Sequence, residues 1–208
     1  MPPQDRYNTI LLFGAPGVGK GTQGKLLGKI PGLYHLATGD IFRSLNRESD
    51  LGRKFAEYSS RGELVPDDLT IQLWLQHMHG MIAQRLFSPS SDLLILDGMP
   101  RTIAQSEALD DYINVLKIVH LTTPNVDEMV VRMKRRAIRE NRPDDADESV
   151  IRRRFEVYMQ ETRPVRKHYD ASLIAEVNGV GTPAEVLMNI LQVIVPIYNK
   201  HFGNPLAG

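Results

Sequence analysis

The apolar run Ile10-Leu11-Leu12-Phe13 passes directly into Gly14-Ala15-Pro16-Gly17-Val18-Gly19-Lys20-Gly21-Thr22, and a helical pattern begins at Lys20. This is the spacing G-x-x-x-x-G-K in the context that gives it meaning, a strand before it and a helix after it. The glycines let successive backbone N–H groups turn inward around an anion, and the helix N-terminus adds partial positive charge. Lys20 contributes a mobile full charge for terminal phosphates. A ligand loop of this kind works at the carboxyl edge of a parallel sheet, so the rest of the chain has to supply that sheet. One departure bears on metal binding: Gly21 follows Lys20, so the hydroxyl that usually ligates Mg²⁺ is displaced to Thr22. Mg²⁺ is then expected to be held chiefly by phosphate oxygens and waters.

Short apolar runs alternate with longer helical patterns along the chain, which is the signature of an α/β fold. Candidate strands are residues 9–13, 33–36, 93–96, 115–121 and 173–177, mostly apolar as central parallel strands should be. Candidate helices are residues 20–29, 41–47, 67–85, 103–113, 126–139, 148–169 and 183–199. In the third, Leu69, Leu73, Met78, Met81 and Ile82 recur at helical spacing behind Asp67, a suitable cap; Trp74, Met78 and Met81 therefore read as core rather than as a cofactor pocket. The expectation is one domain over residues 1–208 with a central five-stranded parallel sheet. Residues 38–66 and 135–147 exceed what a minimal sheet and its helices need, and such excursions are usually lids or binding lobes.

Twenty-five basic and 25 acidic side chains leave no net charge, so overall charge does not draw this chain to nucleic acid or to a membrane surface. The absence of cysteine excludes disulfides, thiolate nucleophiles and Cys-based metal sites. The first residues show no signal peptide, and the longest apolar segment, residues 187–198, is too short to span a bilayer. A cytoplasmic location is expected. The chemistry must come from oxygen and nitrogen groups gathered locally.

Three further groups fit a polyphosphate site. Asp97 ends the apolar run Leu93-Leu94-Ile95-Leu96 on the ligand side of the sheet, where it can orient metal-bound water. Gly98-Met99-Pro100-Arg101 follows it, and Thr38-Gly39-Asp40 with Arg43 follows another strand, so Arg43 and Arg101 can converge on one anion. Residues 132–154 carry nine cations against five acids; Arg132 and Arg136 share a helix face, and Arg142 lies where the connector can fold over a ligand. Lys134, Arg135, Arg139 and Arg152 read as a solvated surface.

Taken in order, residues 14–23 (GAPGVGKGTQ), 38–43 (TGDIFR), 62–67 (GELVPD), 96–105 (LDGMPRTIAQ), 132–145, 154–165 (RFEVYMQETRPV) and 181–186 resemble the adenylate kinases, within the nucleoside monophosphate kinases. The resemblance implies a P-loop core with an AMP-binding lobe over residues 37–66 and a short lid over residues 135–145. It implies that Gly17, Val18, Gly19, Lys20, Gly21 and Thr22 cradle the ATP phosphates, with Arg132 and Arg136 on ATP and backbone near Gly181 along its adenine. AMP is expected at Thr38, Arg43, Glu63, Leu64, Val65, Gly98, Met99, Pro100, Arg101 and Gln105. Arg142 and Arg154 are expected to bridge the two nucleotides, with Arg153 the alternative to Arg154 because the stretch after Arg142 is one residue longer than usual. Met99 stands where an aromatic residue is usual, and Gly24 where a larger one is common.

The implied reaction is reversible phosphoryl transfer from ATP to AMP, giving two ADP, in a monomer. Mg²⁺ arrives with ATP, no structural zinc is needed, and Lys20, Arg136, Arg142 and Arg154 are the expected catalytic groups. A phosphate monoester is already largely dianionic at neutral pH, so no general base is required and none of the six histidines needs a catalytic role. Two alternatives stand beside this reading: a UMP/CMP kinase, against which Thr38, Thr102 and Gln105 weigh, and a nucleotide-binding regulatory protein without turnover.

Overall fold

A computed structural model describes residues 6–140, 142, 145–204 and 206. Of the expected lid, Asn141, Pro143 and Asp144 lie outside the described residues. Five strands, β1 (Tyr7–Phe13), β2 (Leu33–Ala37), β3 (Leu93–Asp97), β4 (Ile113–Thr122) and β5 (Ile174–Asn178), form one parallel sheet in the order β2-β3-β1-β4-β5. β1 is central, pairing Thr9 with Leu94 of β3 on one side and Leu12 with Val119 of β4 on the other. Its period of two distributes its side chains between two cores. Leu11 and Phe13 pack with Leu94, Leu96, Trp74 and Met78, whereas Ile10 and Leu12 pack with Leu27, Val119, Ile190 and Ile194.

The helices on the first face include α4 (Asp67–Ala83) and α5 (Ile103–Leu109); α1 (Lys20–Leu27) and α8 (Pro183–His201) cover the second. Trp74 and Met78 are fully buried in the first core, as expected of a helical stripe. α8 opens with a capping box, in which Thr182 accepts from Glu185 N–H while the Glu185 carboxylate accepts from Thr182 N–H. Among the described residues no helix is long and apolar enough to cross a membrane.

Several boundaries differ from the sequence expectation, each for a local reason. The helix expected over 41–47 is α2 (Thr38–Arg43), which begins as soon as β2 ends; α3 (Asp50–Ser60), capped by Ser49, then fills the long excursion. The helix expected to reach residue 113 stops at Leu109, because Ile113 is drawn into β4 opposite Tyr7. The helix expected over 148–169 divides into α7 (Glu148–Val157), a π turn (Tyr158–Thr162) and a 3₁₀ turn (Arg163–His168). Pro164 has no N–H to continue an α ladder, so the backbone changes pitch around it. α6 (Val126–Glu140) carries the first part of the expected lid. Asp67 does not cap α4: Pro66 holds the cap position, and the carboxylate instead accepts from Thr102 Oγ1 at 2.8 Å and Gln105 Nε2 at 2.7 Å on α5.

The unusual Gly24 has a steric explanation. It lies in α1 against β2, and a Cβ there would sit 2.0 Å from His35 Nε2. The ring occupies the volume that a larger residue would fill, and the His35 side chain is 8% exposed. Gly24→Ala gains helix preference of ~1 kcal/mol, but overpacking costs ~1–3 kcal/mol, so a net loss of about 1 kcal/mol is expected. With His35→Ala the same substitution should become stabilising. Chemical denaturation of the four proteins of this double-mutant cycle tests the reversal of sign, and an unchanged sign would dismiss the contact as the reason for glycine.

Candidate active site

At the carboxyl edge of β1, β2 and β3 the chain encloses a cavity of about 150 Å³. Its deepest chemistry is the loop between β1 and α1. The sharp exit from β1 requires glycine at position 14: φ is 142°, and a Cβ there would lie 2.6 Å from the Leu121 carbonyl oxygen. Lys20 Nζ turns back into its own loop, donating to the Gly14 carbonyl at 2.6 Å and the Ala15 carbonyl at 3.1 Å. Burial pulls the Lys20 ammonium down to about 8; Asp97 opposes that shift, and Arg101, Arg136 and Arg154 add to it.

Lys20 shares the cavity wall with Thr38, Arg43, Glu63, Leu64, Val65, Gly98, Met99, Pro100, Arg101, Gln105 and Arg154. Residues remote in sequence thus meet because β2 and β3 end side by side, with Ala37 in register with Asp97. Thr102 caps α5 by accepting from Gln105 N–H. That places the buried Gln105 amide where its oxygen accepts from Arg101 N–H at 2.7 Å and its nitrogen donates to Asp67. Arg101 Nε donates to the Gly98 carbonyl at 2.8 Å, which holds the guanidinium beside the wall. Met99 is 1% exposed and contributes to the core as well as to the cavity.

The basic segment organises around a residue that sequence reasoning counted only as one acid among five. Asp145 is fully buried, and its two oxygens are divided between two arginines. Oδ2 accepts from Arg136 Nε at 2.8 Å and Nη2 at 2.5 Å, and Oδ1 accepts from Arg154 Nη1. Arg154 lines the cavity, whereas Arg153 pairs at the surface with Glu156 at 3.0 Å. Arg142 is outside the wall; its guanidinium lies 3.0 Å from Glu140 and 3.6 Å from Asp40 of α2. Asp40 also binds Arg43 at 2.5 Å, so one carboxylate links α2 to Arg142 beyond α6.

The remaining expected residues stand beside the cavity rather than in it. Gly17 packs against Met129 and Met133 of α6, and Val18 is buried against Gly179. Gly19, Gly21 and Thr22 start α1, where Thr22 is exposed. Arg132 is exposed and 3.9 Å from Glu128, and the exposed Gly181 precedes the cap of α8. Asp97 is buried near Gly21, with His35 Nε2 3.8 Å away. Besides Asp145, sequence reasoning missed Gly179 and Tyr158. Tyr158 lines the cavity one helical turn beyond Arg154, a spacing that would have revealed it.

The adenylate kinase family model matches residues 12–174. The chain belongs to the adenylate kinase family. Adenylate kinase of Thermus thermophilus is 39% identical over 193 residues, covering 89% of this chain and 96% of that protein. Adenylate kinase of Nocardia farcinica is 38% identical, covering 89% and 98%, and that of Dehalococcoides mccartyi strain 195 is 34% identical, covering 90% and 98%. The matched range contains the loop, both arginine-bearing strand ends and α7, so this adenylate kinase family member carries its cation cluster inside the segment that defines the family.

The depressed Lys20 gives a measurable linkage. A bound polyanion favours the ammonium and raises its pKa above the free value of about 8. ATP binding should therefore take up almost no proton well below pH 8 and approach one proton above it, with affinity falling as pH rises through that value. Calorimetry in buffers of different ionisation enthalpy measures the uptake; an uptake that does not change with pH would remove Lys20 from the site.

Proposed function

We infer that this chain is an ATP:AMP phosphotransferase that interconverts ATP and AMP with two ADP. The observation that carries this reading is the meeting of Lys20, Arg43, Arg101 and Arg154 on one cavity at the mouth of the phosphate loop, in a chain of the adenylate kinase family. In this reading the cavity receives AMP, its phosphate between Arg43 and Arg101 and its base toward Gln105. ATP lies along the outer side of the loop, with its phosphates on the backbone of residues 17–22 and Arg132, Arg136 and Gly181 beside it. Residues 37–66 form the AMP lobe and residues 135–145 the lid.

Transfer brings together roughly six negative charges. The work of this protein is to neutralise them and hold the reacting oxygens in line rather than to move a proton. Lys20, Arg136, Arg142 and Arg154 do so in the proposed reaction, the arginines exchanging the carboxylates of Asp145, Asp40 and Glu140, and Lys20 the carbonyls of Gly14 and Ala15, for phosphate oxygens. Mg²⁺ fits the residues present: Asp97 is buried at the loop, and its carboxylate, 3.8 Å from His35 Nε2, would hold metal-bound water. When bound, Mg²⁺ supplies charge neutralisation and orientation of the ATP phosphates. We place the enzyme in the cytoplasm as a monomer.

A coupled assay with ATP and each monophosphate separates this reading from its rivals. AMP should be used far better than UMP or CMP, since a base that leaves buried polar groups unpaired is rejected strongly. Equal kcat/KM for UMP would move the assignment to a UMP/CMP kinase, and no turnover with any monophosphate to a regulatory protein. Lys20→Met should abolish turnover without changing the melting temperature.

Arg142→Ala and Arg154→Ala should each lower kcat on the order of 10³-fold, as with other arginines that stabilise phosphoryl transfer. Arg153→Ala should be nearly silent. If Arg142→Ala raised KM alone, its role would be uniform binding rather than transition-state stabilisation.

A further inference from the structure

Tyr158 opens the π turn after α7, lines the cavity, and has His120 as the hydrogen-bond partner of its hydroxyl among the described residues, at 3.2 Å from Nε2. Which group donates is decided on the other side of the ring. Arg166 Nη1 lies 3.1 Å from His120 Nδ1, and a guanidinium can only donate. Nδ1 must therefore offer its lone pair, so the ring proton resides on Nε2 and is donated to Tyr158.

Glu176 Oε1, 3.5 Å from Nδ1, would favour the opposite tautomer if it stood alone. Its longer approach is already answered by Arg166 Nη2 at 3.0 Å, so the guanidinium satisfies carboxylate and ring together. Burial, Arg166 and Lys20 hold the imidazole below its ordinary pKa, against the opposing pull of Glu176. Protonation at acid pH would add a proton on Nδ1 facing Glu176 and leave the one on Nε2 in place. In either state the Tyr158 oxygen receives a proton, and its own O–H must be used elsewhere.

Tyr158 is half-buried and lines the cavity, so a ligand there is in a position to accept that O–H in place of solvent, and the neighbours indicate its chemistry. Tyr158 is one turn from Arg154 on the same side of the chain, and His120 is in register with Phe13, the residue before the phosphate loop. Lys20, Arg43, Arg101 and Arg154 line the same cavity as Tyr158, so the wall around it is rich in cations. We propose that Tyr158 is a further substrate-binding residue whose hydroxyl donates to an anionic phosphate oxygen of the acceptor nucleotide, with His120 and Arg166 acting as positioning residues that fix its polarity. The proposal rests on the reading of this cavity as the acceptor site.

Calorimetric titration of AMP, adenosine and ATP into wild type and variants tests it. Tyr158→Phe should weaken AMP about tenfold, as expected for a lost hydrogen bond to a charged group, while adenosine and ATP bind as before. His120→Ala should weaken AMP about threefold by freeing the hydroxyl to rotate, and His120→Gln should restore it, because one amide can accept from Arg166 and donate to Tyr158. Unchanged AMP affinity in a folded Tyr158→Phe, or an equal loss for adenosine and AMP, overturns the proposal. Failure of wild type to bind AMP at all would overturn the cavity reading itself, a result distinct from either. Independently of any variant, ¹⁵N NMR of the imidazole should show the proton on Nε2 with Nδ1 bare; a neutral ring protonated on Nδ1 would end the argument.

Discussion

Repulsion among cations governs the architecture at the carboxyl edge of this sheet. Lys20, Arg43, Arg101 and Arg154 share one cavity wall, Arg136 lies beside them, and Lys20 is depressed first by burial and then by Arg101, Arg136 and Arg154, against the opposing pull of Asp97. Such a cluster persists only where rigid elements hold the side chains and carboxylates compensate. β1 and β3 fix Lys20 and Arg101 through the register of Leu12 with Asp97, and Asp145 holds Arg136 and Arg154 to each other. The fold thus keeps a set of guanidinium groups in place, which in the proposed reaction is the electrostatic preorganisation that limits reorganisation when phosphates enter.

The fold was legible where chemistry and periodicity coincide. The phosphate loop, the five strands and the stripe of α4 follow from residue type and spacing, and they appear with boundary shifts of a few residues. What was not legible depended on long-range pairing. Asp67 had the position of a cap but spends its carboxylate on Thr102 and Gln105, partners 35 and 38 residues away. Asp145 looked like one acid in a charged connector, since nothing in the local sequence reveals that it is fully buried between two arginines. The π and 3₁₀ turns after α7 were hidden by a continuous helical pattern that Pro164 interrupts.

The departures from the family pattern have unequal explanations. Gly24 follows directly from the volume of the His35 ring, a pairwise constraint between α1 and β2 that neither residue shows alone. Met99, where an aromatic residue is usual, is buried in the core and also lines the cavity, so a flexible thioether fills that space in place of a ring face. Both cases concern how tightly the sheet edge is packed under the site, and they leave the polar groups of the wall in place.

The two carboxylates that hold the arginines differ in a way that bears on motion. Asp145 is fully buried, so its bonds to Arg136 and Arg154 are little screened by salt, and they tie α6 to α7. Asp40 is 47% exposed and meets Arg142 at only 3.6 Å, while binding Arg43 on its own helix at 2.5 Å. A pair of that kind is weak and is weakened further by salt. The contact of Arg142 with α2 is therefore the soft link, and the contact of Asp145 with α6 and α7 is the firm one. In the proposed reaction a phosphate that displaces Asp40 from Arg142 and Arg43 meets a weak competitor, whereas one that displaces Asp145 must replace a fully desolvated carboxylate. Under the proposed function the order of exchange follows from that difference: the Asp40 side gives way first, and the Arg136 and Arg154 pair yields only when an anion enters the cavity beside them.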